Sequence, residues 1–282
     1  MEQTDYSQNG RKKLSGLVSA VQMCSGHDVA ANLLAAGQWL RLARDAGSEL
    51  VVLPENFALM ARSSADRLLH AEEDHKGPIQ ESLSRWCREL GLWLVAGTIP
   101  LRCAHPTKVR AACLVFDDRG ERVARYDKIH LFDVELSAKE RYVESDGFEP
   151  GTAPVVVATP FGKLGLAVCY DLRFPELFRA LLDSGAEMIS LPAAFTVATG
   201  QAHWEVLVRA RAIENSCYVV ASAQAGQHDN GRATYGHSMI VDPWGTVIHC
   251  QPAGTGIVSG RFEHEWVEAV RRRLPSITHR RL

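Results

Sequence analysis

Three polar residues stand beside apolar runs, where a purely structural plan would not place them. Glu55 follows the run ELVVLP, Lys128 lies in RYDKIHLFD, and Cys169 ends KLGLAVC just before a tyrosine and an aspartate. A cysteine at a strand-to-helix junction exposes its thiol and leaves nearby backbone N–H groups free to bind an oxyanion. Such a nucleophile needs a base and a positive or donor-rich site for its tetrahedral intermediate. Together the three residues favour hydrolysis by a thiol.

Each residue also has a structural interpretation. Glu55 fits a solvated loop, Lys128 fits a lysine whose stem covers apolar surface, and Cys169 fits a small buried thiol. No histidine adjoins Cys169, but three histidines stay possible partners in space: His130, His203 and His237. We assign six cysteines to the core: Cys24, Cys87, Cys103, Cys113, Cys217 and Cys250.

The surrounding segments alternate between strand and helix patterns. Asp28 is expected to cap a helix that runs to about Ala46, and PIQESLSRWCREL predicts another. LWLVAGTIP reads as one buried strand, and three hairpins follow along the chain. A later helix is predicted to begin at His203, with Trp204 in the core and Glu205 in the first turn. This order predicts mixed sheets covered by helices, in a single α/β domain.

Composition excludes several classes of protein. The 282 residues carry 31 basic and 33 acidic side chains, a net charge of −2, and 46% are hydrophobic. Such a balance gives no electrostatic case for nucleic acid or an anionic membrane as a main partner. The short basic end RRRLPSITHRRL is expected to be a solvated tail, or an arm that crosses a dimer partner.

The cysteine pattern and the first residues of the chain give an expectation for the cellular compartment. Seven cysteines without a CxxC pair argue against a disulfide framework or a structural zinc site. The first 13 residues lack the apolar core of a signal peptide, and no apolar run approaches the length of a membrane span. We therefore expect a cytoplasmic, reducing setting.

The strings LPENF, YDKIHLFD and GLAVCYDLRFPEL closely resemble the three catalytic motifs of the nitrilase superfamily of carbon–nitrogen hydrolases. LPAAFTVATGQAHW and YGHSMIVDPWG resemble most closely the deaminated-glutathione amidase branch, which includes the nitrilase half of Nit–Fhit fusions. The resemblance implies a four-layer α-β-β-α sandwich that forms a homodimer or a higher homo-oligomer. It divides the chain into a polar tail (1–13), the hydrolase domain (14–262) and a C-terminal helix with a basic tail (263–282).

The resemblance also implies a role for each motif residue. Glu55 would be the general base, Lys128 would stabilise the tetrahedral intermediate, and Cys169 would attack the amide carbon. The backbone N–H of Tyr170 would help to bind the oxyanion, and Glu144 corresponds to a glutamate that positions substrate.

Three further residues are candidates to face the substrate: Arg173, Phe195 and Thr199. Of these, Phe195 and Thr199 resemble pocket residues of the amidase branch, and Arg173 lies four residues after Cys169. Arg173 could clamp a substrate carboxylate, or it could instead pair with Asp171 or Glu176. We expect neither cofactor nor metal.

The predicted reaction cleaves a primary amide through an acyl-thioester and releases ammonia. The expected substrate is a small anionic amide, with deaminated glutathione preferred. Alternatives are α-ketoglutaramate (an ω-amidase), N-carbamoyl amines and nitriles. A different class of function, an inert binding protein with the same fold, is disfavoured because all three motif residues are present.

Overall fold

Two mixed β-sheets pack face to face at the centre of the fold, and helices cover the outer face of each. The computed structural model describes residues 15–137 and 140–281, so the predicted tail 1–13 lies outside the described residues. The predicted α-β-β-α sandwich in a single α/β domain is confirmed. The predicted boundaries within the chain stay a prediction.

The helices in the described ranges are α1 Val29–Asp45, α2 Ser64–Leu69, α3 Pro78–Leu90, α4 Pro175–Asp183, α5 Val197–Asn215 and α6 His264–Arg273. The strands there are β1 Ser15–Gln22, β2 Leu50–Val52, β3 Trp93–Val95, β4 Ile99–Arg102, β5 Val109–Phe116, β6 Arg122–Asp127, β7 Asp133–Ser137, β8 Glu140–Val143, β9 Val155–Thr159, β10 Gly162–Leu166, β11 Met188–Ala193, β12 Tyr218–Ala223, β13 Ala225–Gln227, β14 Ala233–Tyr235, β15 Ser238–Val241, β16 Val247–Gln251 and β17 Gly256–Glu263.

One sheet has the order β17-β1-β2-β3-β5-β4, with β6 paired to β5, and the other has the order β16-β15-β12-β11-β10-β9. Side chains of successive strand residues point to opposite faces. Leu50 and Val52 of β2 therefore join the core between the sheets, whereas Val51 joins the core under α1 and α3. Both faces of the strand are buried, which is why ELVVLP is apolar throughout. The helices α4 and α5 cover the other sheet.

The segment predicted as one strand, LWLVAGTIP, forms two strands, β3 and β4, because the chain bends between them. At the bend Gly97 has a φ of +54°, and a Cβ there would lie 2.0 Å from the Pro54 carbonyl oxygen. Only glycine allows this approach. The Oγ1 of Thr98 then accepts a hydrogen bond from the Asn56 backbone N–H (2.9 Å), which fixes the loop that carries Glu55.

The predicted start of the helix at His203 is wrong, because α5 begins at Val197. The Thr196 side chain accepts a hydrogen bond from the Thr199 backbone N–H and caps the helix. Thr199 therefore lies in the first turn of α5. Trp204 is buried as expected, whereas Glu205 lies beyond the first turn and pairs with Arg209 across one turn.

Three of the six cysteines assigned to the core are buried (Cys87, Cys113 and Cys217), and three are not (Cys24, Cys103 and Cys250). Cys24 and Cys103 follow the ends of β1 and β4, and Cys250 lies on β16, an edge strand. The local apolar pattern around a cysteine does not show where its strand ends or whether it is an edge. No helix within the described ranges is long and apolar enough to span a membrane.

Candidate active site

The side chain of Lys128 lies between two carboxylates inside the protein. Its Nζ is 2.9 Å from Glu55 Oε1, and 2.9 and 2.8 Å from the two carboxylate oxygens of Glu144. Glu55 is 4% exposed and Lys128 is 2% exposed. These values contradict the structural interpretations of a solvated glutamate and a lysine that reaches water. A buried charge of this kind is retained only when it is paired.

Each of these side chains follows an element that holds its backbone. Glu55 follows β2 after Leu53 and Pro54, and its carbonyl oxygen accepts a hydrogen bond from the Gln224 side chain (3.1 Å). Lys128 comes directly after β6, and its backbone N–H donates to the Ala111 carbonyl on the neighbouring strand. Because both backbones are anchored to sheet residues, the ion pair does not depend on a mobile loop.

Cys169 lies at a sharp turn after β10 and is 7% exposed. Its φ of +51° is in the left-handed region, where a non-glycine residue costs about 1–3 kcal/mol. The turn is a 3-10 helix, Cys169–Arg173, that runs directly into α4 at Pro175, as the sequence predicted. The backbone N–H of Ala194, just after β11, points at the thiol.

Burial raises the pKa of the Cys169 thiol, and the negative charge of Glu55 raises it further. The opposing charge of Lys128 lowers that pKa but does not reverse the result. The thiol is therefore neutral in the resting site. For Lys128, burial alone would lower the pKa of the ammonium, but the charges of Glu144 and Glu55 raise it well above its ordinary value. A protonated lysine, a neutral thiol and a nearby carboxylate thus share one site.

A third carboxylate, Asp171, joins the segment of Lys128 to the turn of Cys169. It is fully buried and accepts hydrogen bonds from the Tyr126 hydroxyl (2.7 Å), the Val168 backbone N–H (2.8 Å) and the His130 backbone N–H (3.1 Å). Nδ1 of the His130 ring lies 2.7 Å from Asp171 Oδ1, the same oxygen that accepts from the His130 backbone N–H, and the ring stacks on Phe174. Sequence reasoning considered Asp171 only as a partner for Arg173.

A cavity opens over these groups. The predicted residues Glu55, Lys128, Glu144, Cys169, Tyr170, Arg173, Phe195 and Thr199 all line it. None of the three candidate histidines does so within the described residues. His130 is held by Asp171, and Tyr235 stacks on His237. His203 lies 3.2 Å from Arg173, which therefore pairs with neither Asp171 nor Glu176 in the described part of the chain.

The Glu144 carboxylate has a second hydrogen-bond partner besides Lys128. Its Oε2 accepts a hydrogen bond from the Phe132 backbone N–H (2.6 Å), and it begins a short 3-10 helix after β8. The carboxylate is therefore fixed at both oxygens. Its side chain is only 15% exposed, so it is not the plain surface carboxylate that its loop position suggests.

Among the charged residues that line the cavity, sequence reasoning missed two, Arg67 and Arg232. Each is an isolated arginine in a polar stretch, and no spacing links them to the catalytic strings. In the described ranges, no group of three or more His, Cys, Asp or Glu side chains could hold a metal ion.

Comparison with known proteins finds relatives over nearly the whole chain. Residues 17–272 match the family described as Carbon-nitrogen hydrolase. A deaminated glutathione amidase of Yersinia enterocolitica is 43% identical over 266 residues, which cover 94% of this chain and 92% of that protein.

Two solved structures are similar. The Caenorhabditis elegans NitFhit protein has a TM-score of 0.87 and 37% identity, and the match covers 95% of this chain and 65% of that one. Saccharomyces cerevisiae Nit3, described as a member of branch 10 of the nitrilase superfamily, has a TM-score of 0.84 and 30% identity, with coverage of 94% and 97%.

Proposed function

Because the chain belongs to the carbon–nitrogen hydrolase family and is an amidase, we propose that Cys169 is its nucleophile, Glu55 its general base and Lys128 its oxyanion-stabilising cation. One observation carries the proposal: Lys128 is held between Glu55 and Glu144 in the buried cavity that also receives the Cys169 thiol. An inert binding protein would have no use for this costly arrangement of buried charges.

In the first half-reaction the thiol attacks the amide carbon as Glu55 takes its proton. Attack and proton transfer occur together, because the pKa of the resting thiol is raised by burial and by the charge of Glu55. The carbonyl electrons move to oxygen, and this oxyanion is stabilised by the Lys128 ammonium and the Tyr170 backbone N–H. Collapse breaks the C–N bond, and Glu55 returns the proton to the leaving nitrogen.

In the second half-reaction water cleaves the thioester. Glu55 removes a proton from the water as its oxygen attacks the acyl carbon, and the same cation stabilises the second oxyanion. Collapse breaks the C–S bond, releases the carboxylic acid and returns the proton to the Cys169 sulfur. Glu144 acts as a positioning residue, since both of its oxygens hold the lysine in place.

We propose deaminated glutathione as the substrate, because a relative that is 43% identical over 94% of the chain carries that name. This choice changes the leaving group predicted from the sequence. Glutathione contains only secondary amides, so cleavage of its deaminated form releases an amine, cysteinylglycine, and not ammonia. Ammonia release belongs to the alternative, the primary amide of α-ketoglutaramate.

The identity of the leaving group, cysteinylglycine or ammonia, therefore distinguishes the two candidate substrates. Purified protein is assayed with deaminated glutathione and α-ketoglutaramate, with chromatography for cysteinylglycine and a coupled assay for ammonia. We expect the higher kcat/KM for deaminated glutathione, together with release of cysteinylglycine. A higher kcat/KM for α-ketoglutaramate would instead establish an ω-amidase. N-carbamoyl amines and nitriles serve as further comparisons.

The predicted homodimer also belongs to this proposal. Helix α5 presents the apolar side chains of Val206 (68% exposed) and Ile213 (45%) to solvent, and Trp244 (48%) lies in the turn next to Gly245, which packs near Ile213. We propose that a second copy covers this face. Light scattering should show a dimer, and Val206→Glu should shift it toward monomer. A monomeric wild-type protein would contradict this assignment. The cytoplasmic setting likewise stays a proposal, which fits the need for a reduced Cys169.

A further inference from the structure

Three arginines line the cavity, and none of them takes part in the chemistry described above. Arg173 lies on the same short helix as Cys169, whereas Arg67 lies on α2 and Arg232 lies just before β14. Arg67 and Arg232 are far apart in sequence, and the fold brings their charges close enough to affect each other.

Hydrogen bonds hold the two segments that carry Arg67 and Arg232. The Asn230 side chain donates a hydrogen bond to the Ala61 carbonyl (3.1 Å), which ties the turn before Arg232 to the segment before α2. The buried ring of His228 contacts the Ser25 carbonyl (2.8 Å) and the Thr234 hydroxyl (2.7 Å), which fixes the base of the same turn. The two arginines are therefore carried by constrained backbone.

Their guanidinium groups lie against aromatic rings. The Cζ of Arg67 is 4.3 Å from the centre of the Phe148 ring, and that of Arg232 is 5.2 Å from the Tyr142 ring. Gly147 leaves the space for Arg67, because a Cβ there would lie 2.5 Å from its Nη1. Aromatic faces of this kind orient a guanidinium and leave its N–H edge free for a planar anion.

Neither arginine forms an ion pair with an acidic side chain among the described residues. Other partly buried arginines do, for example Arg211, which is 2.7 Å from Glu214. The buried Nε of Arg232 has no hydrogen-bond partner in the described part of the chain. For Arg67, burial lowers the pKa of the guanidinium, the charge of Glu144 raises it and the charge of Arg232 lowers it again. Two like charges placed together in a cavity are relieved when an anion binds between them.

We propose, on the basis of the proposed function, that Arg67 and Arg232 form a carboxylate subsite for the amine half of the substrate. This subsite binds the C-terminal carboxylate of a dipeptide leaving group. This pair then selects an amide with a distant carboxylate over a short ω-amide.

The arrangement of charges favours the amine half over the acyl half. Arg173 is on the Cys169 turn and lies beside the Tyr170 and Phe195 rings, so it is the arginine nearer the nucleophile along the chain. We therefore assign Arg173 to the carboxylate of the acyl half, which is only a few bonds from the attacked carbon. Arg67 instead lies close enough to Glu144, the partner of the Lys128 ammonium, for the two charges to affect each other. A dipeptide amine reaches roughly 7 Å from the scissile nitrogen, so its carboxylate is assigned to the pair that is carried by other segments than the Cys169 turn.

The test uses two substrates that differ in one group: deaminated glutathione and its C-terminal glycine carboxamide. Arg67→Gln and Arg232→Gln should each lower kcat/KM for the free acid about 10- to 100-fold, mainly through KM, and change it less than threefold for the carboxamide. Arg85→Gln, which removes an exposed arginine of α3, should leave both values unchanged. Equal losses for acid and carboxamide, or an equal loss for α-ketoglutaramate, would overturn the proposal.

A second measurement separates this proposal from the proposed function. If wild-type protein does not hydrolyse deaminated glutathione, the proposed function fails, and the subsite is tested by binding alone. Glycylglycine should then slow alkylation of Cys169 by iodoacetamide in the wild type, and its carboxamide should do so at least tenfold less effectively. Protection that is equal for both, or unchanged in Arg67→Gln and Arg232→Gln, would overturn the subsite. Where a glutamine variant does not fold, the lysine variant is used; it keeps the charge but loses the bidentate geometry, and it should give protection that is weaker than wild type and still greater for glycylglycine than for its carboxamide.

Discussion

The hydroxyl of Tyr126 donates a 2.7 Å hydrogen bond to the carboxylate of Asp171, and this contact joins two segments that are distant in sequence. Tyr126 lies two residues before Lys128, and Asp171 lies two residues after Cys169. Both side chains are fully buried. The pair therefore fixes how the proposed cation and the proposed nucleophile face each other.

Replacing Asp171 by asparagine should lower kcat about 10- to 100-fold with little change in KM. One amide hydrogen would face the Val168 or His130 N–H, and a buried donor left unpaired in this way costs about 1–3 kcal/mol. Steady-state kinetics measures the loss, and alkylation of Cys169 should slow in parallel.

The matched control for that substitution is Asp117→Asn. Asp117 is also a buried aspartate, and it accepts backbone hydrogen bonds from Arg119 and Glu121 in a hairpin turn away from the site. The substitution Asp117→Asn should lower the melting temperature without slowing the alkylation of Cys169. An Asp171→Asn protein with wild-type kcat would show that the tyrosine–aspartate contact does not position the site.

Glu144→Gln should move the basic limb of the pH profile of kcat/KM to lower pH. Burial lowers the pKa of Lys128 and the charge of Glu144 raises it, so removing that charge leaves the ammonium easier to deprotonate. The exposed Glu81→Gln on α3 serves as a control with the same change in charge. A basic limb at the wild-type position would contradict the assignment of Lys128 as the essential cation.

Glu55→Gln should abolish turnover and yet make Cys169 react with iodoacetamide at lower pH. The charge of Glu55 raises the pKa of the thiol and the charge of Lys128 lowers it, so the variant keeps only the favourable charge. Peptide-resolved mass spectrometry follows the labelling, with the exposed Cys24 as an internal reference. If Cys169 in the variant reacts only at higher pH, Glu55 does not act on the thiol as proposed.

The free energy of unfolding should fall as the pH is lowered from 8 to 5, and His228 should contribute to the decrease. Burial lowers the pKa of this ring below its ordinary value, so below about pH 6.5 the unfolded chain takes up a proton that the folded protein does not. His228→Gln should lose about 1–2 kcal/mol at pH 8 but show a shallower decrease. Urea titrations at several pH values measure the free energy of unfolding of both proteins. The same pH dependence in His228→Gln as in the wild type would contradict the prediction.

The predicted site residues came together because the catalytic strings lie at the ends of apolar strands, and strand ends are easy to locate in a sequence. Glu55 and Cys169 each follow a buried apolar run, whereas the strand before Lys128 is only partly buried. Once the runs pair into sheets, the residues at their ends have little freedom. The mixed sheets covered by helices were predictable for the same reason, whereas the four-layer α-β-β-α order was implied by the resemblance to the nitrilase superfamily.

What the sequence did not reveal depends on tertiary contacts. The start of α5 was missed because Val197 to Gly200 is a weak helical pattern, and the Thr196 cap decides it. Asp171 was read as a surface partner of Arg173, although its hydrogen-bond donors come from a strand far away along the chain. Arg67 and Arg232 carry no local signal, because tertiary contacts such as those of Asn230 with Ala61 and of Asp229 with Arg62 bring their segments together.

The central claim is that Cys169 carries the acyl group during turnover. Wild-type protein is mixed with deaminated glutathione, quenched in acid on the millisecond timescale, and examined by intact-mass and peptide mass spectrometry. We predict an added mass equal to the α-ketoglutaryl group, located on Cys169 and present also in Cys113→Ala, which removes a different buried thiol. Absence of the adduct together with normal turnover by Cys169→Ala would contradict the account.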